Sequence, residues 1–135
     1  MSYKIEEIEG IGPAYGEKLA AGGVATTDDL LEKGGTKPGR GKLAAATDIN
    51  ETLILKWANA ADLMRISGIG PEYAELLEAS GVDTVKELQH RNAENLAAKM
   101  DEVNETKKLT RKTPSASVIQ GWVDQAKDTK PAISH

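Results

Sequence analysis

Two short stretches carry residue types and spacing that could do chemistry: Gly10-Ile11-Gly12-Pro13 and Gly68-Ile69-Gly70-Pro71. Glycine adopts backbone angles closed to other residues, and proline fits the first position of a helix. Each stretch therefore predicts a sharp hairpin corner feeding a helix start. A helix start carries main-chain N–H groups with no partner inside the helix, and with the helix dipole these form an anion site. Gly10, Ile11, Gly12, Ala14 and Tyr15 would surround the first such site, and Gly68 and Gly70 the second. Cations could serve the same end. Residues 33–42 hold Lys33, Lys37, Arg40 and Lys42 without an acid, and residues 107–112 hold Lys107, Lys108, Arg111 and Lys112 likewise. Lysine and arginine contacts to phosphate would be salt-sensitive and indifferent to base sequence. The competing reading of both windows is solvated loop.

Catalytic chemistry finds no such pattern. His90 and His135 are far apart, no His, Asp and Glu share metal-ligand spacing, and no serine sits in a nucleophile motif. There is no cysteine, which removes disulfides and thiolate chemistry together. Asp28 and Asp29 suit the positive end of a helix better than a metal pair. Gly10-Ile11-Gly12 lacks both a preceding strand and the third glycine of a dinucleotide loop. The expectation is a chain with no enzymatic activity, no metal or other cofactor and no small-molecule substrate.

The elements that must position the corners come in two copies. A constant offset carries Ile8, Gly10, Gly12, Pro13, Tyr15, Leu19, Gly23, Val24 and Thr26 onto Ile66, Gly68, Gly70, Pro71, Tyr73, Leu77, Gly81, Val82 and Thr84. Further on, Asn50, Leu53, Ile54, Trp57 and Ala61 match Ser115, Val118, Ile119, Trp122 and Ala126 at a larger offset, so the second copy contains an insertion. The predicted boundaries are 1–61 for the first repeat, 62–128 for the second with its extra helix, and 129–135 for a flexible tail. Within each copy the spacing predicts helices. Residues 3–9 form a short first arm. Pro13 and Pro71 start the second arms, which stop at Gly22-Gly23 and Ser80-Gly81. Thr26 and Thr84 cap the next helices. A glycine-rich loop is expected over 33–42, then a short helix over 42–46. Asn50 caps a long helix reaching Arg65, and Asn92 and Ser115 cap the last two. Trp57 and Trp122 have apolar residues three and four positions away, which makes them core residues. Tyr15 and Tyr73 are also core, with hydroxyls at the rim of each corner. No alternating strand pattern occurs, so the class is all-α.

Gly-Ile-Gly-Pro, then an apolar helix ending at Gly-Val and a Thr-capped helix, resembles the helix-hairpin-helix motif of DNA repair, recombination and ligase proteins. The fit covers roughly residues 3–31 and 61–89. Over its whole length the chain is similar to a family of small bacterial tandem helix-hairpin-helix proteins of unassigned function. The resemblance implies two tandem subdomains packed into one compact helical unit, whose corner amides hold a phosphate of DNA or RNA without reading bases. In that motif a Lys or Arg usually follows the Gly-Pro step. Here Ala14-Tyr15 and Glu72-Tyr73 stand instead, and Glu72 is a carboxylate at the very point where an anion would sit.

Composition bounds these readings. The chain has 135 residues, 39% of them hydrophobic, with no Phe, a formal net charge of −4 and a pI near 5.2. The molecule as a whole repels nucleic acid and anionic membranes, so any polyanion must meet a local patch. No run approaches the length of a membrane span, and the first residues lack the pattern of a secretory signal. The expected location is the cytoplasm, with no membrane partner. Two functions are left open: docking on a DNA or RNA backbone, ranked first through the resemblance, and a protein-interaction or self-assembly module that keeps the hairpin pair as scaffold.

Overall fold

A computed structural model describes residues 2–135. These residues form one 3-10 turn, Ile5–Glu7, and eight α-helices: α1 (Gly12–Ala21), α2 (Thr27–Gly34), α3 (Lys37–Thr47), α4 (Glu51–Leu63), α5 (Pro71–Ala79), α6 (Val85–Leu88), α7 (Ala93–Lys107) and α8 (Ala116–Lys127). The class is all-α, as expected. Among the described residues the only strand-like pairing is an isolated bridge between Lys4 and Thr26.

Helix starts follow the caps. The Thr26 hydroxyl accepts from the Asp29 amide at 3.1 Å, while the Asp29 carboxylate accepts from the Ala25 and Thr26 amides at 3.0 and 3.1 Å. Thr84, Asn50, Asn92 and Ser115 cap α6, α4, α7 and α8. The stops repeat between copies. Gly23 and Gly81 take φ of 89° and 96°, and the Val24 and Val82 amides donate back to the Leu19 and Leu77 carbonyls at 2.8 and 2.9 Å. Positive φ costs glycine nothing, and the following valine returns to the core.

α4 is the central strut, packed against α2, α3 and α5, while α8 packs on α6 and α7. Leu19, Leu30, Ile54, Leu63, Ile66, Leu76, Leu77, Leu96 and Met100 are fully buried along these contacts. Trp57 and Trp122 are core residues, 2% and 3% exposed, and each meets the tyrosine of its own copy. Tyr15 and Trp57 lie edge-on with centroids 5.0 Å apart, and Tyr73 and Trp122 are tilted at 5.4 Å.

Four expectations need correction. Residues 3–9 are not a helical arm: the chain runs extended beside residues 25–27, with the Ile5 amide donating to the Ala25 carbonyl and the Thr27 amide to the Tyr3 carbonyl. Only the single turn Ile5–Glu7 coils. Residues 33–42 are not a loop. α2 continues to Gly34, and α3 starts at Lys37 because Thr36 caps it and Pro38 fits its first turn. α4 ends at Leu63 instead of Arg65, since the Arg65 and Ile66 amides tighten onto the Asp62 and Leu63 carbonyls, three residues back. Residues 129–135 are not loose. Ile133 packs against the core, and the Ser134 amide donates to the Gly35 carbonyl at 2.8 Å.

Candidate functional site

Both corners form through left-handed glycine. Gly10 and Gly68 take φ of 92° and 97°, and each lies over the indole nitrogen of the tryptophan in its own copy. Ile11 and Ile69 point inward, 2% and 0% exposed, and their amides donate to the Ile8 and Ile66 carbonyls at 3.3 and 3.1 Å. Ile11 is therefore a staple whose N–H is already engaged, which removes it from the anticipated anion contacts. The next glycines differ: Gly12 has φ of 63° and opens α1 itself, whereas Gly70 has φ of −96° and sits just before α5. Neither helix start has a side-chain cap.

The surroundings of the two corners are unlike. Gly12, Pro13 and Gly16 share their surface with Glu6 and Glu17, and no cation lines it. The first basic window does not reach this corner. Lys33 lies over Gly23, at the far end of α1 and about 15 Å along its axis from Gly12. Lys37 faces Glu51 and Thr52 at the start of α4. Lys42 is exposed on α3. Arg40 is not a surface cation at all. It is 3% exposed and donates to the Gly34, Gly35 and Ser134 carbonyls at 3.0, 3.1 and 2.7 Å. Its role as a phosphate contact is withdrawn, because its donors are spent on the end of α2 and on residue 134.

The second corner is where predicted residues come together. Gly68, Gly70, Pro71, Glu72 and Tyr73 line a cleft of ≈ 690 Å³ with Thr110, Arg111 and Lys112 opposite. The Tyr73 hydroxyl donates to the Lys112 carbonyl at 3.1 Å, and Asn104 holds both main-chain groups of Thr110, so the basic wall is fixed. Ser67 is tied to α8 through Gln125, whose side chain accepts from its amide and donates to its carbonyl. Glu7 and Glu9, from the first copy, close the cleft. The site thus has three carboxylates, Glu7, Glu9 and Glu72, facing two cations. Sequence reasoning missed Glu7, Glu9 and Thr110, for which there was no local signal. Glu9 also approaches Glu75 on α5, whose carboxyl is pushed up first by burial and then by the Glu9 charge, against the pull of Lys56 and Lys107. Lys108 closes α7 in a left-handed conformation and is exposed.

Among the described residues no group of three or more His, Asp and Glu is placed to hold a metal ion, and no helix is long and apolar enough to cross a membrane. No curated protein and no solved structure matches the chain. Residues 9–129, which span both corners, match a family described as a domain of unknown function (DUF4332), and the chain belongs to that family.

Proposed function

We propose that the second glycine corner, between α4 and α5, is a helix-hairpin-helix unit, that the first is a reduced copy whose leading arm is a single 3-10 turn, and that the chain is a non-catalytic binding module. Its partner is a segment of another protein, seated in the cleft over the second corner. One observation carries this reading: the cleft is lined by both signs of charge, Glu7, Glu9 and Glu72 against Arg111 and Lys112. A protein segment can present cations and carboxylates in turn, whereas a phosphate backbone meets the carboxylates as like charges.

A second reading has its own support. Arg111 and Lys112 stand beside the uncapped start of α5, the arrangement that would hold a nucleic-acid phosphate. Paired charge reversals separate the two. Protein docking through a two-signed cleft is weakened both by Glu9→Lys/Glu72→Lys and by Arg111→Glu/Lys112→Glu. Docking on nucleic acid is strengthened by the first pair and abolished by the second. Fluorescence anisotropy against labelled duplex at about 50 mM salt reads the nucleic-acid arm. Nuclease-treated affinity capture with both variants, with light scattering for self-association, reads the protein arm. Duplex binding that rises in Glu9→Lys/Glu72→Lys would overturn the protein reading.

A further inference from the structure

The segment after α8 crosses from the second copy to the first, and its anchors are unusual. Arg40 and Asp62, 3% and 1% exposed, are the charged side chains among the buried polar residues; Arg40 holds this segment directly and Asp62 holds it through Arg65. The Asp62 carboxylate accepts from Arg65 at 2.9 Å. Arg65 donates to the Lys130 carbonyl, and Arg40 donates to the Ser134 carbonyl at 2.7 Å. Ser134 in turn donates its amide to the Gly35 carbonyl at 2.8 Å. At Gly35 the approach is so close that an added Cβ would lie 2.6 Å from the Ala132 carbonyl oxygen.

Each anchor has a second partner inside the body. Arg40 keeps the Gly34 and Gly35 carbonyls, Asp62 keeps the Val85 amide and Arg65, and Arg65 keeps Asp62. Lifting the segment therefore strands none of these charges without a bond, and water reaches the groups that are freed. The usual penalty for breaking a buried polar network, an unpaired group left in the interior, does not arise. The apolar loss is small: Ile133, half-buried at the edge of the core, and the methyl of half-buried Ala132.

We propose that residues 129–135 form a detachable strap between the end of α8 and the end of α2, which opens while the helices beneath it stay folded. Release leaves the Gly35 carbonyl with Arg40 alone, frees the Arg40 nitrogen that served Ser134, and loosens the tie between the two copies. This inference does not depend on the cleft at the second corner.

Native-state hydrogen exchange on the whole chain tests it. The Ser134 amide is expected to exchange on the order of 10- to 100-fold more slowly than in an unstructured peptide, yet far faster than core amides such as those of Ile54 and Leu96. Ile133→Ala and, more strongly, Ile133→Ser weaken the apolar hold without touching the Ser134 donor. Either should speed exchange at Ser134 by about 5- to 10-fold while the Val85 and Leu96 amides keep their rates. Strap amides that exchange only as fast as the core would show that it opens with the whole fold. Amides as fast as a free peptide in the unaltered chain would show that there is no strap. Either result overturns the proposal, as would loss of Val85 protection in the two variants.

Discussion

Alanine at the four corner glycines gives a graded test of how the corners are built. Gly10 and Gly68 share nearly the same φ, 92° and 97°, so alanine meets the same backbone penalty at each, about 1–2 kcal/mol. What differs is space. A Cβ at Gly10 would lie 3.9 Å from the Trp57 indole nitrogen, an ordinary contact, whereas at Gly68 it would lie 2.9 Å from that of Trp122. The Trp122 ring cannot swing freely, since Tyr73 packs on it at 5.4 Å. Overpacking adds about 1–3 kcal/mol at Gly68 alone. Gly10→Ala should therefore cost about 1–2 kcal/mol and Gly68→Ala about 2–5 kcal/mol. Gly12→Ala, with φ of 63° and open space around it, should match Gly10→Ala. Gly70→Ala meets neither obstacle and should stabilise by about 0.4–1 kcal/mol by restricting the unfolded chain. Urea unfolding followed by circular dichroism, with linear extrapolation, gives the four values. Tryptophan emission adds a local check, since each copy has one of the two tryptophans. Equal costs at Gly10 and Gly68, or a cost at Gly70 as large as at Gly12, would refute the reasoning.

Other outcomes follow from the buried and capped charges. Arg40→Met should destabilise by about 1.5–3 kcal/mol in the same urea assay, and Arg40→Lys should recover only part, because a lysine cannot serve the Gly34, Gly35 and Ser134 carbonyls with one planar fork. Burial pushes the Asp62 carboxyl up against the pull of the Val85 amide and Arg65, so the native state holds its proton more tightly than the unfolded chain. Its contribution to stability falls as pH rises from the ordinary carboxylate range through that raised value, and Asp62→Asn should flatten this fall in thermal midpoints measured against pH. Asp29 behaves oppositely: the Ala25 amide and then the Thr26 cap hold its carboxyl low. Its stabilisation is present above the ordinary carboxylate value and is lost as pH falls through the lowered one, so Asp29→Asn should remove that acid-side loss.

Much of the fold was legible because its signals are local. Thr26, Asn50, Thr84, Asn92 and Ser115 start helices through their own side chains, and Gly23 and Gly81 stop them through their own backbone angles. The duplication made each signal visible twice. The first half of α3 was missed because four glycines and four cations in residues 33–42 outweighed the Thr36 cap and Pro38, although Arg40 and Leu43 anchor that helix in the interior. Nothing around Arg40 in the sequence announces its burial, since its partners include Ser134, which lies at the far end of the chain. The strap is opaque for the same reason: its own residues are polar and small, and what holds it belongs to α3, α4 and the turn after α4. The cleft was half legible. Gly68, Gly70, Arg111 and Lys112 were anticipated separately, but their meeting with Glu7 and Glu9 depends on how the copies pack.

That last meeting has an evolutionary corollary. Glu7 and Glu9 descend from one copy and Gly68 to Tyr73 from the other, while Thr110 to Lys112 lie in the stretch that only the later copy possesses. Neither copy by itself holds every wall of this recess. The recess exists only where the two copies meet, and the inserted stretch furnishes its second wall, so substitutions at positions 7, 9 and 110–112 can change what the recess admits while the glycines that bend the chain stay as they are.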